Sequence, residues 1–426
     1  MFMLSVIGVF LLTALLGLPI YFSFGLTAAY ACVVGDFPLQ IIAQRMMIGM
    51  DSFVLLAIPG FVLVGDIMCL GGISKRAVDF SNSLIGQFKG GLAMVTVFTG
   101  MIMGGISGSA VADTSAVASV LVPSMEKENY PREFSASVVA TAGPLGNIIP
   151  PSIPMIVYSM TAGLSLLDLF LSGYIPGTMI GVSLMIICHV LSKRRGYGPP
   201  VPYTFSFRNV WVAFRGAALA LFTPILIVGG IVTGAFTPTE SAMIGVFYCL
   251  FIALFVYKEM TWAQLPKMLL ESAKTTAKLV IIIASAAVFS YISINEGVPE
   301  MFEKFMLSVS DNKYVILMLL NVILLLLGCL IDILVGIIII VPVLIPLGES
   351  LGIDPLHMAM IFVMNMSIGL LTPPVGYCLY VSASIAKVPM EKVTRFSVPL
   401  VITMIGILVL ITFFPTLTTF VPNLFH

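Results

Sequence analysis

Two stretches of this 426-residue chain set oxygen-bearing side chains inside apolar sequence. The first is GGISGSAVADTSA, Gly104 to Ala116, where Ser107, Gly108, Ser109, Asp113, Thr114 and Ser115 interrupt a hydrophobic block. Glycine lets the backbone approach a ligand closely and adopt unusual angles. Hydroxyls, carbonyls and a carboxylate together suit a small hard cation such as Na⁺. Small residues also serve close helix contacts, but a packing motif needs no acidic residue among hydroxyls and glycines. The second stretch is LGCLIDILVG, Leu327 to Gly336, in which Asp332 stands alone in a long apolar run. A lone carboxylate at membrane depth is expensive and is a functional candidate by default.

Two further stretches break apolar segments with paired prolines: GNIIPPSIPMIVYS, Gly146 to Ser159, and GLLTPPVGYCLYVS, Gly369 to Ser382. Proline removes a backbone donor and clashes with the preceding turn, which frees carbonyls. Freed backbone groups are tolerated in hydrocarbon only where they are buried in protein or line a cavity. There they can ligate a coupling cation. A kink serving helix packing alone is the plainer explanation for one such pair. The pairs, however, coincide under a single ungapped shift of 223 residues. Gly146 meets Gly369, Pro150 meets Pro373, Pro151 meets Pro374 and Ser159 meets Ser382. Pro123 also meets Pro346, Gly105 meets Gly328, and Ser109 meets Asp332. The chain therefore reads as two copies of one unit, near 16–192 and 239–415, joined by one extra crossing at about 214–235. A single linking crossing starts the second copy on the opposite side, so the copies are inverted.

The elements that must carry these breaks are membrane helices. The chain is 59% hydrophobic and 9% charged, with mean hydropathy +1.12, beyond any ordinary soluble domain. Its formal net charge is zero, which argues against nucleic acid as a partner. The N-terminus lacks a basic n-region and a cleavage site, so it reads as a retained helix. Six cysteines scattered in apolar runs read as buried packing thiols. Expected crossings are 10–34, 53–70, 134–163, 168–192, 214–235, 239–257, 276–295, 355–386 and 397–420. The blocks 90–123 and 314–347, each interrupted near its middle, are expected to be re-entrant hairpins. With that arrangement every Lys and Arg except Arg45, Lys304 and Lys313 falls on one face. That is a strong positive-inside bias, and it places the N-terminus inside and the C-terminus outside. Asp51 and Asp66 lie near crossing ends. Glu240, in GAFTPTESA, is as well suited to cap a helix as to act. The segment 36–51 is the best candidate for an amphipathic arm along the interface.

The set GGISGSAVADTSAVASVLVPSM, GNIIPPSIPMIVYS, GAFTPTESA and GLLTPPVGYCLYVS resembles the large membrane subunit of tripartite ATP-independent periplasmic (TRAP) transporters over essentially the whole chain. The resemblance implies an all-α polytopic membrane protein of two inverted repeats, each with a re-entrant hairpin and a broken helix. It implies an elevator-type transporter of the ion transporter superfamily. It further implies sodium-driven uptake of an organic acid across the bacterial inner membrane. A periplasmic substrate-binding protein would deliver the solute, and a small four-helix membrane subunit would be a separate chain. Residues 90–163 and 313–386 would form the moving body. Residues 1–89, 164–312 and 387–426 would form the frame.

On this basis one Na⁺ is expected between the first hairpin tip and first broken helix, drawing on Ser107, Gly108, Ser109, Gly146, Asn147 and Pro150. A second is expected at Gly328, Asp332, Gly369, Thr372 and Pro373. Ser107, Ser152 and Asp332 are the expected substrate contacts. No embedded Arg stands near either break, so sodium ions and helix N-termini would supply the positive field. Two Na⁺ with one carboxylate carry one net charge inward, worth about 2.3 kcal/mol per 100 mV. No phosphate-binding loop occurs, in keeping with transport without ATP. N-acetylneuraminate is the first expectation for substrate and a C4-dicarboxylate the next. Three rivals remain: a channel, an intramembrane enzyme, and a sodium-coupled dicarboxylate carrier that needs no binding protein. His189, His357 and His426 all lie outside the breaks and no HExxH pattern occurs, so enzyme chemistry has little support.

Overall fold

The computed structural model describes residues 2–199 and 205–425, and every regular element among them is helical. In chain order the helices are α1 Phe2–Leu15, α2 Ile20–Val34, α3 Gln40–Met50, α4 Ala57–Leu70, α5 Ile73–Ile85, α6 Gly91–Ser107, α7 Ala110–Lys127, α8 Arg132–Ala142, α9 Leu145–Ile148, α10 Ile153–Ala162 and α11 Leu166–Arg195. Then come α12 Phe207–Val232, α13 Pro238–Phe251, α14 Leu265–Asn295, α15 Val298–Val309, α16 Lys313–Gly328, α17 Ile333–Ser350, α18 Pro355–Gly369, α19 Tyr377–Ala386, α20 Met390–Phe413 and α21 Thr416–Phe425. Among the described residues seven helical segments are long and apolar enough to cross a membrane.

The 223-residue shift survives as geometry. It carries α6–α7 onto α16–α17, α8–α9 onto α18, α10 onto α19 and α11 onto α20. Each interrupted block is a helical hairpin, and each proline pair sits in a break. The breaks span 149–152 and 370–376, and the Pro150–Pro151 and Pro373–Pro374 bonds are both cis. Beyond the first break α10 packs along α17, and beyond the second α19 packs along α7. Each broken helix therefore continues along the other repeat's hairpin.

Local chemistry accounts for the starts and stops. Gly108, in the left-handed region at φ 66°, turns the first hairpin, and Ser109 caps α7. Thr237 and Glu240 form a reciprocal capping box at the start of α13, with Pro238 in the first turn, so TPTE is a helix-start signal here.

Three expectations change. The segment 10–34 is not one crossing. Gly17 takes φ +81° and Pro19 begins α2, a glycine stop followed by a proline start. The chain folds back so that Phe10 stacks on Phe24 with ring centroids 4.6 Å apart, and the Phe2 ring lies against Gly35. The crossing count that placed the N-terminus on the basic face loses its first step. The segment 397–420 likewise ends at Phe413, and Pro415 starts the separate helix α21. The segment 71–89 contains α5, which packs on α6 and α12. Finally α14 begins at Leu265, eleven residues before the expected 276, because α3 and α4 of the first repeat correspond to one continuous helix in the second. Of the cysteines, five are buried and Cys69 is exposed.

Packing divides the helices into two groups. Helices α6 to α10 and α16 to α19 form one, and α11, α20 and α21 pack onto them. Helices α1 to α5 and α12 to α15 pack largely on one another, and they meet the first group through α5 and α4 on α6 and through α14 and α15 on α17. The resemblance assigns 164–312 and 387–426, and with them α11, α20 and α21, to the frame.

Candidate functional site

The two hairpin tips meet in one cavity of about 540 Å³. The first hairpin lines it with Ser107 to Ala112, the first broken helix with Asn147, Ile153 and Pro154, and the second hairpin with Asp332 to Leu334. Leu370 of the second break adds to this side, and the facing wall comes from the other helix group, including Asp66 on α4 and Thr275 and Lys278 on α14.

At the first tip a buried polar cluster is built from local turns. Ser107 Oγ donates to Asp113 Oδ1 at 2.6 Å and accepts from the Ser109 N–H at 3.2 Å. Asn147 Oδ1 accepts from the Ala110 N–H at 3.1 Å, and the Ile153 N–H donates to the Gly108 carbonyl at 3.1 Å. These two bonds tie the broken helix to the hairpin tip. Asp113 is 2% exposed, yet its Oδ2 has no hydrogen-bond partner among the described residues and points at Gly146, where a Cβ would collide with it. A buried carboxylate oxygen without a donor is costly. A cation beside it removes that cost, and the chemistry of Asp113, Ser107 and Asn147 with nearby carbonyls fits Na⁺.

The sequence-predicted residues separate into three sets. Ser107, Gly108, Ser109, Asn147 and Asp332 reach the cavity wall, and Gly146 lies directly behind it against Asp113. Gly328 and Gly369 pack backbone to backbone where α16 crosses α18, as Gly104 and Gly146 do where α6 meets α9, so close helix approach accounts for part of their role. Thr372 and Pro373 sit in the second break, which is more open than the first: Pro150 and Pro151 are buried, whereas Pro373 and Pro374 are exposed. Thr372 Oγ1 donates to the Ile368 carbonyl at 3.3 Å.

Ser152 and Pro150 lie off the cavity as well. Ser152 is fully buried; its Oγ donates to the Asn147 carbonyl at 2.6 Å and caps α10. It cannot touch a solute there, and it acts through the backbone of Asn147. Pro150 faces α11 and α12, on the far side of the hairpin. Asp332 lines the cavity and also caps α17, accepting from the Leu334 N–H at 2.9 Å, so one carboxylate has both a structural and a site position.

Sequence reasoning missed three contributors. Asp113 was noticed but not assigned; its spacing of six from Ser107 across a glycine turn was the available signal. Asp66, which accepts a hydrogen bond from Ser272 Oγ, and Lys278 were read as residues of helix ends. Lys278 lies thirteen residues into α14, about 20 Å along the helix. It supplies a cationic side chain at the cavity that the sequence reading had found lacking.

With the geometry in place, comparison adds the relatives. The family profile described as "Tripartite ATP-independent periplasmic transporter, DctM component" matches residues 7–417. The 2,3-diketo-L-gulonate TRAP transporter large permease protein YiaN of Escherichia coli is 40% identical, covering 94% of each chain. The sialic acid TRAP transporter large permease protein SiaM of Vibrio cholerae is 36% identical over 96% of each. The C4-dicarboxylate TRAP transporter large permease protein DctM of Rhodobacter capsulatus is 34% identical over 99% of each. Among solved structures, the Alcanivorax borkumensis YdaH transporter superposes with a TM-score of 0.63 at 14% identity, over 89% of each chain. That likeness concerns the fold alone.

Proposed function

This chain belongs to the DctM family of tripartite ATP-independent periplasmic transporters, as a large permease and not an enzyme, and from that premise we propose that it takes up an organic acid by sodium-coupled elevator transport across the bacterial inner membrane. The observation that carries the reading is the shared cavity: both hairpin tips, residues of both broken helices, and the Asp113 Oδ2 beside Gly146, which has no hydrogen-bond partner among the described residues. Na⁺ at Asp113, Ser107 and Asn147 balances the buried carboxylate. The same ion then offsets a substrate carboxylate next to it, so filling one site favours the other. Lys278 and the second hairpin tip complete the anion's surroundings, with a second ion near Gly328, Gly369 and Thr372.

The moving body comprises α6 to α11 and α16 to α21, which sets α11, α20 and α21 with the hairpins on the strength of their packing. The frame comprises α1 to α5 and α12 to α15. The loops rich in Lys and Arg face the cytoplasm. A periplasmic binding protein delivers the solute to the opposite face, and a separate small membrane subunit braces the frame. The relatives' named solutes, sialic acid, C4-dicarboxylates and 2,3-diketo-L-gulonate, are all organic acids, and the substrate proposed here is of that class, with N-acetylneuraminate first and a C4-dicarboxylate next.

The test is uptake into proteoliposomes holding this chain with its small subunit and binding protein. N-acetylneuraminate, succinate and 2,3-diketo-L-gulonate are offered with and without an inward Na⁺ gradient. Saturable uptake that needs both Na⁺ and the binding protein supports the reading. Uptake that persists without the binding protein favours the simpler sodium-coupled carrier, and non-saturable flux favours a channel.

A further inference from the structure

A second cavity, of about 480 Å³, lies farther along the same junction between frame and moving body. Its frame wall is Arg45 on α3 and Ser290, Tyr291 and Ile294 on α14; its moving wall includes Thr161 on α10 and Pro342 on α17. The cavity at the hairpin tips uses Lys278 and Ile282 of the same α14. One helix, α14, thus borders both cavities. Lys278 and Tyr291, each lining one of them, are thirteen residues apart, about 20 Å of rise.

Each cavity presents one cation. Arg45 stacks its guanidinium on the Tyr291 ring at 3.7 Å from the centroid. Its Nε is shut off from solvent and has no hydrogen-bond partner among the described residues. Glu300 lines the same cavity, but among the described residues no ion pair engages Arg45. Arg45 is also one of three cations outside the basic face of the chain. A guanidinium held flat on a ring keeps its remaining N–H groups in a plane and offers a carboxylate a pre-organised fork. An arm residue serving only to pack α3 on α14 would need no charge there, since Gly49 already brings α3 against Ala287.

We infer that Arg45, stacked on Tyr291, forms a second anion-binding site, at the outer end of the α14 track, that receives the substrate's carboxylate when the hairpin body stands outward. The inference rests on the elevator reading above. In that reading α14 is the fixed rail: the anion meets Arg45 on the side where it is delivered and Lys278 on the side where it is released.

The first test needs no transport. In a cysteine-free background, Ile294→Cys places a thiol on this cavity at a position that is 48% exposed. Its reaction rates with anionic 2-sulfonatoethyl methanethiosulfonate and cationic 2-(trimethylammonium)ethyl methanethiosulfonate are compared. Arg45→Gln should lower the anionic-to-cationic rate ratio by about five-fold or more, as expected for one unit charge within several ångströms. Arg45→Lys should keep the ratio, and Lys278→Gln should leave it unchanged. With Arg45 intact, rising ionic strength should slow the anionic reagent and speed the cationic one. That arm remains informative if Arg45→Gln fails to fold. A ratio indifferent to Arg45, or two reagents responding alike to salt, overturns the inference. The second test uses whichever of N-acetylneuraminate, succinate and 2,3-diketo-L-gulonate the wild type takes up. Arg45→Gln should raise the outer half-saturation about ten-fold and leave that for efflux unchanged; equal loss in both directions assigns Arg45 a packing role. Because labelling is independent of uptake, a wild type that moves no organic acid sinks the transport reading without touching the labelling result.

Discussion

Asp113→Asn separates a cation site from a structural carboxylate. In the structure Asp113 is 2% exposed, Oδ1 accepts from Ser107 Oγ at 2.6 Å and Oδ2 has no hydrogen-bond partner among the described residues. The amide fills the same volume and keeps an oxygen for Ser107, so the variant removes a charge and little else. At about 4 Å and an effective dielectric near 20, a unit charge pair is worth at most about 4 kcal/mol. Desolvation of both ions takes back part of that. A net loss of about 2–3 kcal/mol raises the Na⁺ half-saturation roughly 30- to 150-fold. The same variant removes an uncompensated buried charge when Na⁺ is absent. Thermal unfolding of the detergent-solubilised protein should therefore show a crossed pattern. Without Na⁺ the variant is at least as stable as wild type. With Na⁺ at about a hundred times its dissociation constant, wild type gains about 2.7 kcal/mol and the variant gains almost nothing. The readouts are the melting temperature across a Na⁺ titration, with choline chloride matching ionic strength, and the Na⁺ dependence of uptake. A variant that keeps wild-type Na⁺ dependence in both would refute the argument that Asp113 holds the ion.

Four further outcomes follow from the same geometry. Gly146→Ala drives a methyl into Asp113 Oδ2, so Na⁺-stimulated uptake should vanish while membrane insertion persists; normal uptake would show that the tip has room to spare. Ser152→Ala should cost about 1–2 kcal/mol of stability through the lost α10 cap and leave the substrate half-saturation within about two-fold; a large change in half-saturation would return Ser152 to the cavity. Asp332→Ala should abolish uptake with assembly intact, whereas Asp332→Asn keeps the α17 cap and loses only the charge; equal activity of Asn and wild type would leave Asp332 as a cap alone. Lys278→Gln should raise the half-saturation for efflux about ten-fold, measured in right-side-out against inverted vesicles, and an unchanged value would remove the lysine from the anion's path.

Much of this protein was decided locally and could be read from the chain. Gly108 followed by Ser109 makes a tight turn and a cap wherever they stand, so the first hairpin was legible. Paired prolines cannot continue a helix, so both breaks were legible. The 223-residue shift fixed the repeat because identical residues at one offset impose like elements, and α17 and α19 do fall on the images of α7 and α10. Gly17 with Pro19 was equally local, yet the run of apolar residues around it masked a fold-back that Phe10 and Phe24 seal. What only the tertiary structure decided is which side of a helix faces what. Ser152 and Asn147 sit five residues apart in one motif, but one turns into the packing and caps α10 while the other reaches the cavity. Lys278 reads as an end-of-helix cation until α14 is seen to begin at Leu265. Arg45 and Tyr291 are 246 positions apart and meet only through the packing of α3 on α14. Backbone turns depend on a few adjacent residues, whereas a cavity depends on helices that are distant in sequence, and no local pattern encodes their contact.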